Sequence, residues 1–495
     1  MKRSHLLLAG SLITVGVMVG SSLPGTVIAG QAGVAEKGVE SRNEKWAEKF
    51  PNQFKTWMQT SENDTITDML EKKPQLAVLW AGYGFAKDYN APRGHFYAVQ
   101  SNINSLRTGA PVGPATGPMP TACWTCKSPD VPRLIEEQGE LEYFTGKWAK
   151  YGNEMANAIG CADCHSSQTA ELTISRPYLE RGLEAIGVDT KNIDSESMRS
   201  LACAQCHSEY YFKATEWTDK KGEKKVAKVV TLPWDNGLTA EDMEKYYDEL
   251  GFKDWTHKIS KAPMLKAQHP GYEIFSTGIH AKSGVSCADC HMPSTTEGDE
   301  TFSDHHIASP MENIETVCLG CHDQEAEELK AVIETKFERK EQLMEIAMDS
   351  IAKAHLEAGK AWEIGATETE MKEILTDIRH AQWKWDYAIA SHGSFFHAPE
   401  ETLRLLAVAN ETAQTARLKL VQVLAKHGAV DFIAPDFSDK TKAQALAQVP
   451  LAKLVEEKEN FRATLLKEWE KQATAKGLLD PATRKGMSDK TSYMK

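Results

Sequence analysis

The sequence predicts a mainly α fold with one small β-hairpin and long helices at its C-terminal end. Three observations carry that expectation. Apolar residues recur at three- and four-residue spacing through the last third, only one pair of segments has strand character, and all ten cysteines fall into five Cys-x-x-Cys pairs. The chain has 495 residues, 41% hydrophobic and 26% charged, an ordinary globular composition. Lys+Arg 57 against Asp+Glu 70 gives a net charge of −13. Without a leader over 1–29, which holds Lys2 and Arg3 and no acid, the balance is −15. An acidic chain with no long basic stretch is a poor partner for nucleic-acid phosphates, so none is expected.

The elements follow in order. Lys2 and Arg3 precede an apolar run over 6–19, and Val27-Ile28-Ala29 supplies small residues at a cleavage position near Ala29. That is the layout of a secretory signal peptide, and it predicts a periplasmic protein. The run is short of the ~20 residues that span a bilayer, although an uncleaved anchor is the competing reading. No later segment is apolar enough to be a span. A short helix is expected over 64–71, a Gly/Pro-rich loop over 108–120, and a helix over 177–186 with proline near its start. Segments 212–217 and 226–232 flank the polar turn at 219–222 and form the only convincing β. After His322 the texture changes: Leu329, Val332, Ile333, Phe337, Leu343, Met344, Ala347 and Ile351 mark a long amphipathic helix. Further helices are expected over 370–390, 399–426 and 449–473. The chain thus divides into a leader (1–29), a cysteine-bearing region (30–322) and a long-helix region (323–495) that packs on it. The apolar stripes read mainly as core, with a dimer seam as the alternative for the longest helix.

The pairs are Cys123/Cys126, Cys161/Cys164, Cys203/Cys206, Cys287/Cys290 and Cys318/Cys321. Four are followed at once by a histidine: His165, His207, His291 and His322. Cys-x-x-Cys-His is the attachment site of c-type haem, the two thiols adding to the vinyl groups while the imidazole reaches the iron. Composition alone would place roughly 0.006 such motifs in the chain. Zinc knuckles do not need the following histidine, and thioredoxin-like pairs occur singly on a βαβ unit not found here. Five haems attached within about 200 residues must pack against one another and supply much of the core, which makes the chain an electron conduit.

The fifth pair is followed by Lys127. A haem with two nitrogen ligands passes electrons but has no open position, so catalysis is to be sought where the repeat departs from its pattern. Lysine ligates only as the free amine, and freeing an ordinary lysine at pH 7 costs about 4.6 kcal/mol. Iron coordination and burial have to supply that energy. So costly a choice of ligand points to function.

The chain resembles the pentahaem cytochrome c nitrite reductases that form ammonium. The resemblance covers nearly the whole mature chain and rests on Cys123-Trp124-Thr125-Cys126-Lys127 and the four later motifs in order. Arg93-Gly94-His95, Ser105-Leu106-Arg107-Thr108-Gly109, Cys206-His207-Ser208-Glu209-Tyr210-Tyr211, Lys266-Ala267-Gln268-His269-Pro270 and His397-Ala398-Pro399-Glu400-Glu401 add to it. It implies five covalent haems and a lysine-ligated active-site haem whose other face is open to nitrite. Arg107, Tyr210 and His269 would be its distal residues. An arginine suits an anion, a histidine near neutral pH supplies protons, and a tyrosine donates a hydrogen bond. Without the resemblance, a surface arginine, a core tyrosine and a haem-ligand histidine are the favoured readings.

The resemblance further implies distal ligands His305 for His165, His95 for His207, His397 for His291 and His280 for His322. His392 competes with His397, and His306 with His305. It also implies one calcium ion held by Glu209, Tyr210, Lys266 and Gln268, two through side-chain oxygens and two through backbone carbonyls, all hard donors. A homodimer and an electron donor, either a membrane quinol dehydrogenase or a small cytochrome, complete the implied partners. His257, His355, His380 and His427 are left as surface or helix-packing residues. The competing functions are a multihaem electron carrier without its own substrate and a related enzyme for hydroxylamine or a sulfur oxyanion. Lys127→His is expected to pass through ordinary haem attachment and to lose a substantial part of nitrite turnover. Unchanged turnover would remove the lysine from the mechanism.

Overall fold

The periodic apolar stripe after His322 becomes a helix of 38 residues, Ala326–Glu363, in a computed structural model that describes residues 38–479 and Tyr493. The leader expected over 1–29 lies outside the described residues. Met344, Ala347, Met348, Ile351, Ala354, Ala358 and Ala361 are buried along this helix, and small side chains there allow close approach of its neighbours. Val332 and Phe337, expected on the inner stripe, are instead exposed at 53% and 44%, so the first turns extend beyond the core.

A capping box opens the next helix, Glu368–Ala390: the Thr367 hydroxyl accepts from the Glu370 N–H, and the Glu370 carboxylate accepts from the Thr367 N–H. Pro399 starts Pro399–Lys426 at the position where its missing N–H costs nothing. These three helices pack together, and the first also runs against Gln75–Leu79, so the chain on both sides of residue 322 shares one hydrophobic core.

The single helix expected over 449–473 is two, Leu451–Ala463 and Leu465–Ala475, broken at Thr464 (φ −121°, ψ −90°). The physical reason is register. Phe461 and Leu466 are five residues apart, about 140° out of phase on a straight helix, yet both are buried. The break lets Phe461 and Trp469 converge on Trp148, with ring centroids 6.2 and 5.6 Å from it.

The 64–71 helix shrinks to Met69–Lys72, because the Asp68 carboxylate accepts from the Leu70 and Glu71 N–H groups and so sets the start there. Pro177–Ala185 forms as expected. The hairpin pairs Tyr211–Thr218 with Lys224–Thr231, placing Phe212 opposite Val230, and Gly222 takes φ +83° in its turn. It is not the only β structure. Trp255–Thr256 pairs with Pro263–Met264, and Ser294–Glu297 with Glu300–Ser303. The first is two residues long and the second has one apolar residue, Phe302, so neither carries an alternating pattern.

Two of the unassigned histidines are neither surface nor ordinary packing residues. His257 and His355 are fully buried and stacked, with ring centroids 3.6 Å apart. His257 Nε2 donates to the Val78 carbonyl (2.8 Å), and its Nδ1 accepts from the Ser260 N–H (3.1 Å). His355 Nε2 donates to Gln382 Oε1 (2.7 Å), while its Nδ1 accepts from the Ser260 hydroxyl (2.8 Å). Gln382 in turn donates to the Leu79 carbonyl. Every polar atom is matched with both rings neutral. Burial pushes His257 well below its usual range and His355 down to about 4.

Below pH ~6.5 the unfolded chain therefore takes up protons that the folded pair refuses, and stability falls. The melting temperature of the haem-loaded protein is expected to decline from pH 7 to pH 5. His355→Gln should flatten that decline while costing about 1–3 kcal/mol at pH 7, both read from unfolding curves across pH.

Candidate functional site

Each cysteine pair sits on or beside a helical turn. Cys161–Cys164 and Cys287–His291 are single-turn helices, Cys203 lies in Ser195–Ala204, and Thr121–Trp124 carries Cys123. Ile314–Val317 ends at Cys318. The turn brings residues i and i+3 to one face, as two neighbouring thioethers require. Nine of the ten cysteines line one continuous cavity of about 1530 Å³, and Cys321 lies outside its wall.

The motif histidines face second imidazoles across nearly constant gaps. Ring centroids are 6.2 Å apart for His165 and His305, 6.3 Å for His95 and His207, 6.3 Å for His291 and His397, and 6.2 Å for His280 and His322. Two metal–nitrogen bonds of about 2 Å in line, plus the reach from each nitrogen to its ring centre, fill such a gap with one metal ion. The Nδ1 atoms of His165, His291 and His305 lie 2.7–3.0 Å from the carbonyls of Ala170, Ala308 and Ser303, so they donate there and leave Nε2 to ligate. The residues present therefore fit haem. Of the competitors, His392 faces His269 at 6.1 Å rather than His291, and His306 lines the cavity beside His305.

Lys127 follows the Thr121–Trp124 turn, and its backbone is clamped from behind. Arg176, fully buried, donates through Nε to the Thr125 carbonyl (2.9 Å) and through Nη2 to the Ser128 carbonyl (3.1 Å) and Asp163 Oδ1 (2.5 Å). Asp163 belongs to the second cysteine pair and caps its helix through Gly160 N–H. One buried ion pair thus joins the first two motifs. Sequence reasoning missed Arg176, because an arginine before a proline carries no signal of its own.

The same cavity is walled by Arg107, Tyr210 and His269. Arg107 is half-buried rather than a surface residue. Its guanidinium lies 4.2 Å from the Phe85 ring centre, and its Nε donates to Ser105 Oγ. Burial pushes the Tyr210 phenol upward, which keeps it a hydrogen-bond donor. His269 packs edge-on against His207 at 4.4 Å. Burial, with His392 and Lys127 nearby, pushes its imidazole down to about 3, so it is the neutral ring that faces the cavity.

Beside this pocket the carboxyls of Glu209, Glu273 and Asp386 are buried, and that of Asp254 is partly buried. Glu209 Oε2 accepts from the Gln268 N–H (2.5 Å), Asp254 Oδ2 from the Lys266 N–H (2.9 Å), and Asp386 Oδ1 from Lys266 Nζ (2.8 Å). Burial pushes Asp254 and Glu273 up to about 7 and Glu209 well above the usual range. Four acids against one lysine leave negative charge uncompensated when ionised. The Glu209 carboxylate and the Lys266 carbonyl are hard oxygen donors of the kind a divalent cation takes, and Gln268 joins them, its N–H donating to Glu209 and its Nε2 to the Lys266 carbonyl at 3.1 Å. The sequence did not mark Asp254 or Glu273; only folding makes them neighbours.

A mainly helical chain with a large cavity walled by nine cysteines of Cys-x-x-Cys pairs, whose motif histidines face second imidazoles, is a multihaem c-type cytochrome. The chain belongs to the cytochrome c552 family, whose sequence profile matches residues 42–480. It is 60% identical to a cytochrome c-552 of Desulfotalea psychrophila over 99% of this chain and 98% of that one. It is 59% identical to the cytochrome c-552 of Maridesulfovibrio salexigens (100% and 99%). Among solved structures it is similar to a cytochrome c nitrite reductase catalytic subunit from Desulfovibrio desulfuricans, in which two calcium sites are described. The TM-score is 0.71 at 32% identity, over 81% of this chain and 89% of that one.

Arg176→Met leaves Asp163 buried without its cation. It is expected to destabilise the haem-loaded protein by about 3–5 kcal/mol, measured by denaturant unfolding.

Proposed function

We propose that this chain reduces nitrite to ammonium, NO₂⁻ + 6e⁻ + 8H⁺ → NH₄⁺ + 2H₂O, in the periplasm after cleavage of its leader near Ala29. The observation that carries the reading is an asymmetry in the cavity. Each of the four motif histidines faces a second imidazole, whereas the lysine motif shares its part of the wall with Arg107, Tyr210 and His269. Five c-type haems, held by the ten cysteines and ligated by Lys127 and the four imidazole pairs, would supply electron storage and one open iron position when bound.

Arg107 holds the anion by charge and by its planar donors, and stacking on Phe85 keeps the guanidinium from wandering. Tyr210 donates to substrate oxygen. The neutral His269 ring donates an N–H hydrogen bond to substrate oxygen, and the protons that leave as water come from solvent. Glu209, Tyr210, Lys266 and Gln268 would hold one calcium ion, which when bound would fix the backbone on either side of Tyr210 and His269. Five haems store at most five electrons, so the chain must be refilled during a six-electron cycle. Arg107 and His269 then keep partly reduced nitrogen in place.

Among the described residues no helix is long and apolar enough to cross a membrane, so electrons come from a separate quinol dehydrogenase or small cytochrome. A homodimer formed through the long C-terminal helices is supported by the exposed Val332, Phe337, Ile346, Leu418 and Val421. The test is stoichiometry with purified haem-loaded protein and reduced viologen. One ammonium and six viologens oxidised per nitrite are expected. Haem reoxidation without ammonium would make the chain an electron carrier.

A further inference from the structure

Lys458 stands out among the buried charges because, among the described residues, it has no carboxylate partner within hydrogen-bond reach. It lies in Leu451–Ala463, far along the chain from any cysteine pair, and is 1% exposed. An ammonium has three N–H donors and no acceptor. All three are used by the segment that carries Arg107: the Ile103 carbonyl at 2.9 Å, Thr108 Oγ1 at 3.3 Å and the Gly109 carbonyl at 2.5 Å.

The acceptors bracket Arg107 on both sides. Other contacts complete the hold. Asp88 Oδ2 accepts from the Leu106 N–H at 2.9 Å, and Arg462, one turn beyond Lys458, donates to Asn104 Oδ1 at 2.9 Å. Gly109 takes φ +74°, and a Cβ there would lie 2.4 Å from Pro118 Cδ. The Leu106–Thr108 turn is thus short, fixed at both ends and free to move only by breaking buried bonds.

We propose that Lys458 is a positioning residue for Arg107 and thereby sets the affinity of the pocket for an anionic substrate. A buried cation held only by neutral dipoles is an expensive way to pin a turn. The surrounding Trp148 and Phe461 rings, 6.0 and 5.2 Å from the ammonium, offset part of that cost. Burial pushes Lys458 down to about 7, so near neutral pH it holds the turn chiefly through its hydrogen bonds rather than as a permanent charge. This inference rests on Arg107 holding nitrite, and it predicts a discrimination that mere scaffolding would not produce. Nitrite carries the charge that the turn is built to meet; hydroxylamine does not.

The experiment compares Lys458→Met, Arg107→Met and the unaltered haem-loaded enzyme with nitrite and with hydroxylamine, using reduced viologen. For Lys458→Met the nitrite KM is expected to rise on the order of tenfold while the hydroxylamine kcat/KM changes less than about twofold. Equal losses on both substrates, or an unmoved nitrite KM, overturn the positioning role. Arg107→Met is the control for the underlying reading. If it leaves the nitrite-to-hydroxylamine ratio unchanged, Arg107 is not the anion holder and the inference falls with it. If it shifts the ratio and Lys458→Met does not, only the Lys458 inference fails. Should Lys458→Met not load haem, Lys458→Gln, which keeps two N–H donors, goes into the same assay. Failure of both to load makes Lys458 a folding residue and overturns its role at the pocket.

Discussion

The distance between paired imidazoles governs this molecule. Four pairs stand 6.2–6.3 Å apart, too far for ring stacking to hold them and suited to a metal ion between them. Side chains from distant parts of the chain must be brought to that separation within a few tenths of an ångström. Much of the surrounding structure serves the purpose. Nδ1–carbonyl bonds orient rings, single-turn helices present the thiols, and the long C-terminal helices add a rigid wall whose alanines let the backbones approach. The core is therefore organised around ligation, and apolar side chains such as Trp57, Phe85 and Tyr97 form part of the cavity wall.

Several buried charges fix backbone or join segments. Arg176 ties the carbonyls beside Lys127 to Asp163 of the second motif. Lys266 meets Asp386, and Lys458 holds the Arg107 turn. Each such group is costly to bury, and removing one partner leaves the other uncompensated, which is why breaking a buried pair costs more than forming it gains. The geometry they impose is the return. Arg107, Tyr210, His269 and Lys127 come from four different segments, and none of those segments is a regular helix or strand long enough to hold its residue alone.

Function follows from the asymmetry between the motifs. Where an imidazole faces an imidazole, an iron would be closed and able only to exchange electrons. Where the wall carries a guanidinium, a phenol and a neutral imidazole, it offers one positive charge and two hydrogen-bond donors, which match a small anion. The buried carboxyls beside that pocket join the stretches Glu209–Tyr210 and Lys266–His269, so a cation bound among them would stiffen two catalytic positions together.

The ten cysteines, the four motif histidines and Lys127 were legible from residue order alone, because haem attachment is a local chemistry written in five consecutive residues. The long helices were legible for a similar reason: their periodicity repeats over many turns. Tertiary structure decided the rest. It broke the 449–473 segment at Thr464 so that two apolar faces could meet Trp148. It paired histidines separated by up to about 140 positions, and it stacked His257 on His355 in a buried network that no local pattern announces. It also brought Arg176 behind Lys127 and Lys458 beneath Arg107. Such contacts depend on where long segments cross, and a sequence records periodicity along one segment but not the point at which another will touch it.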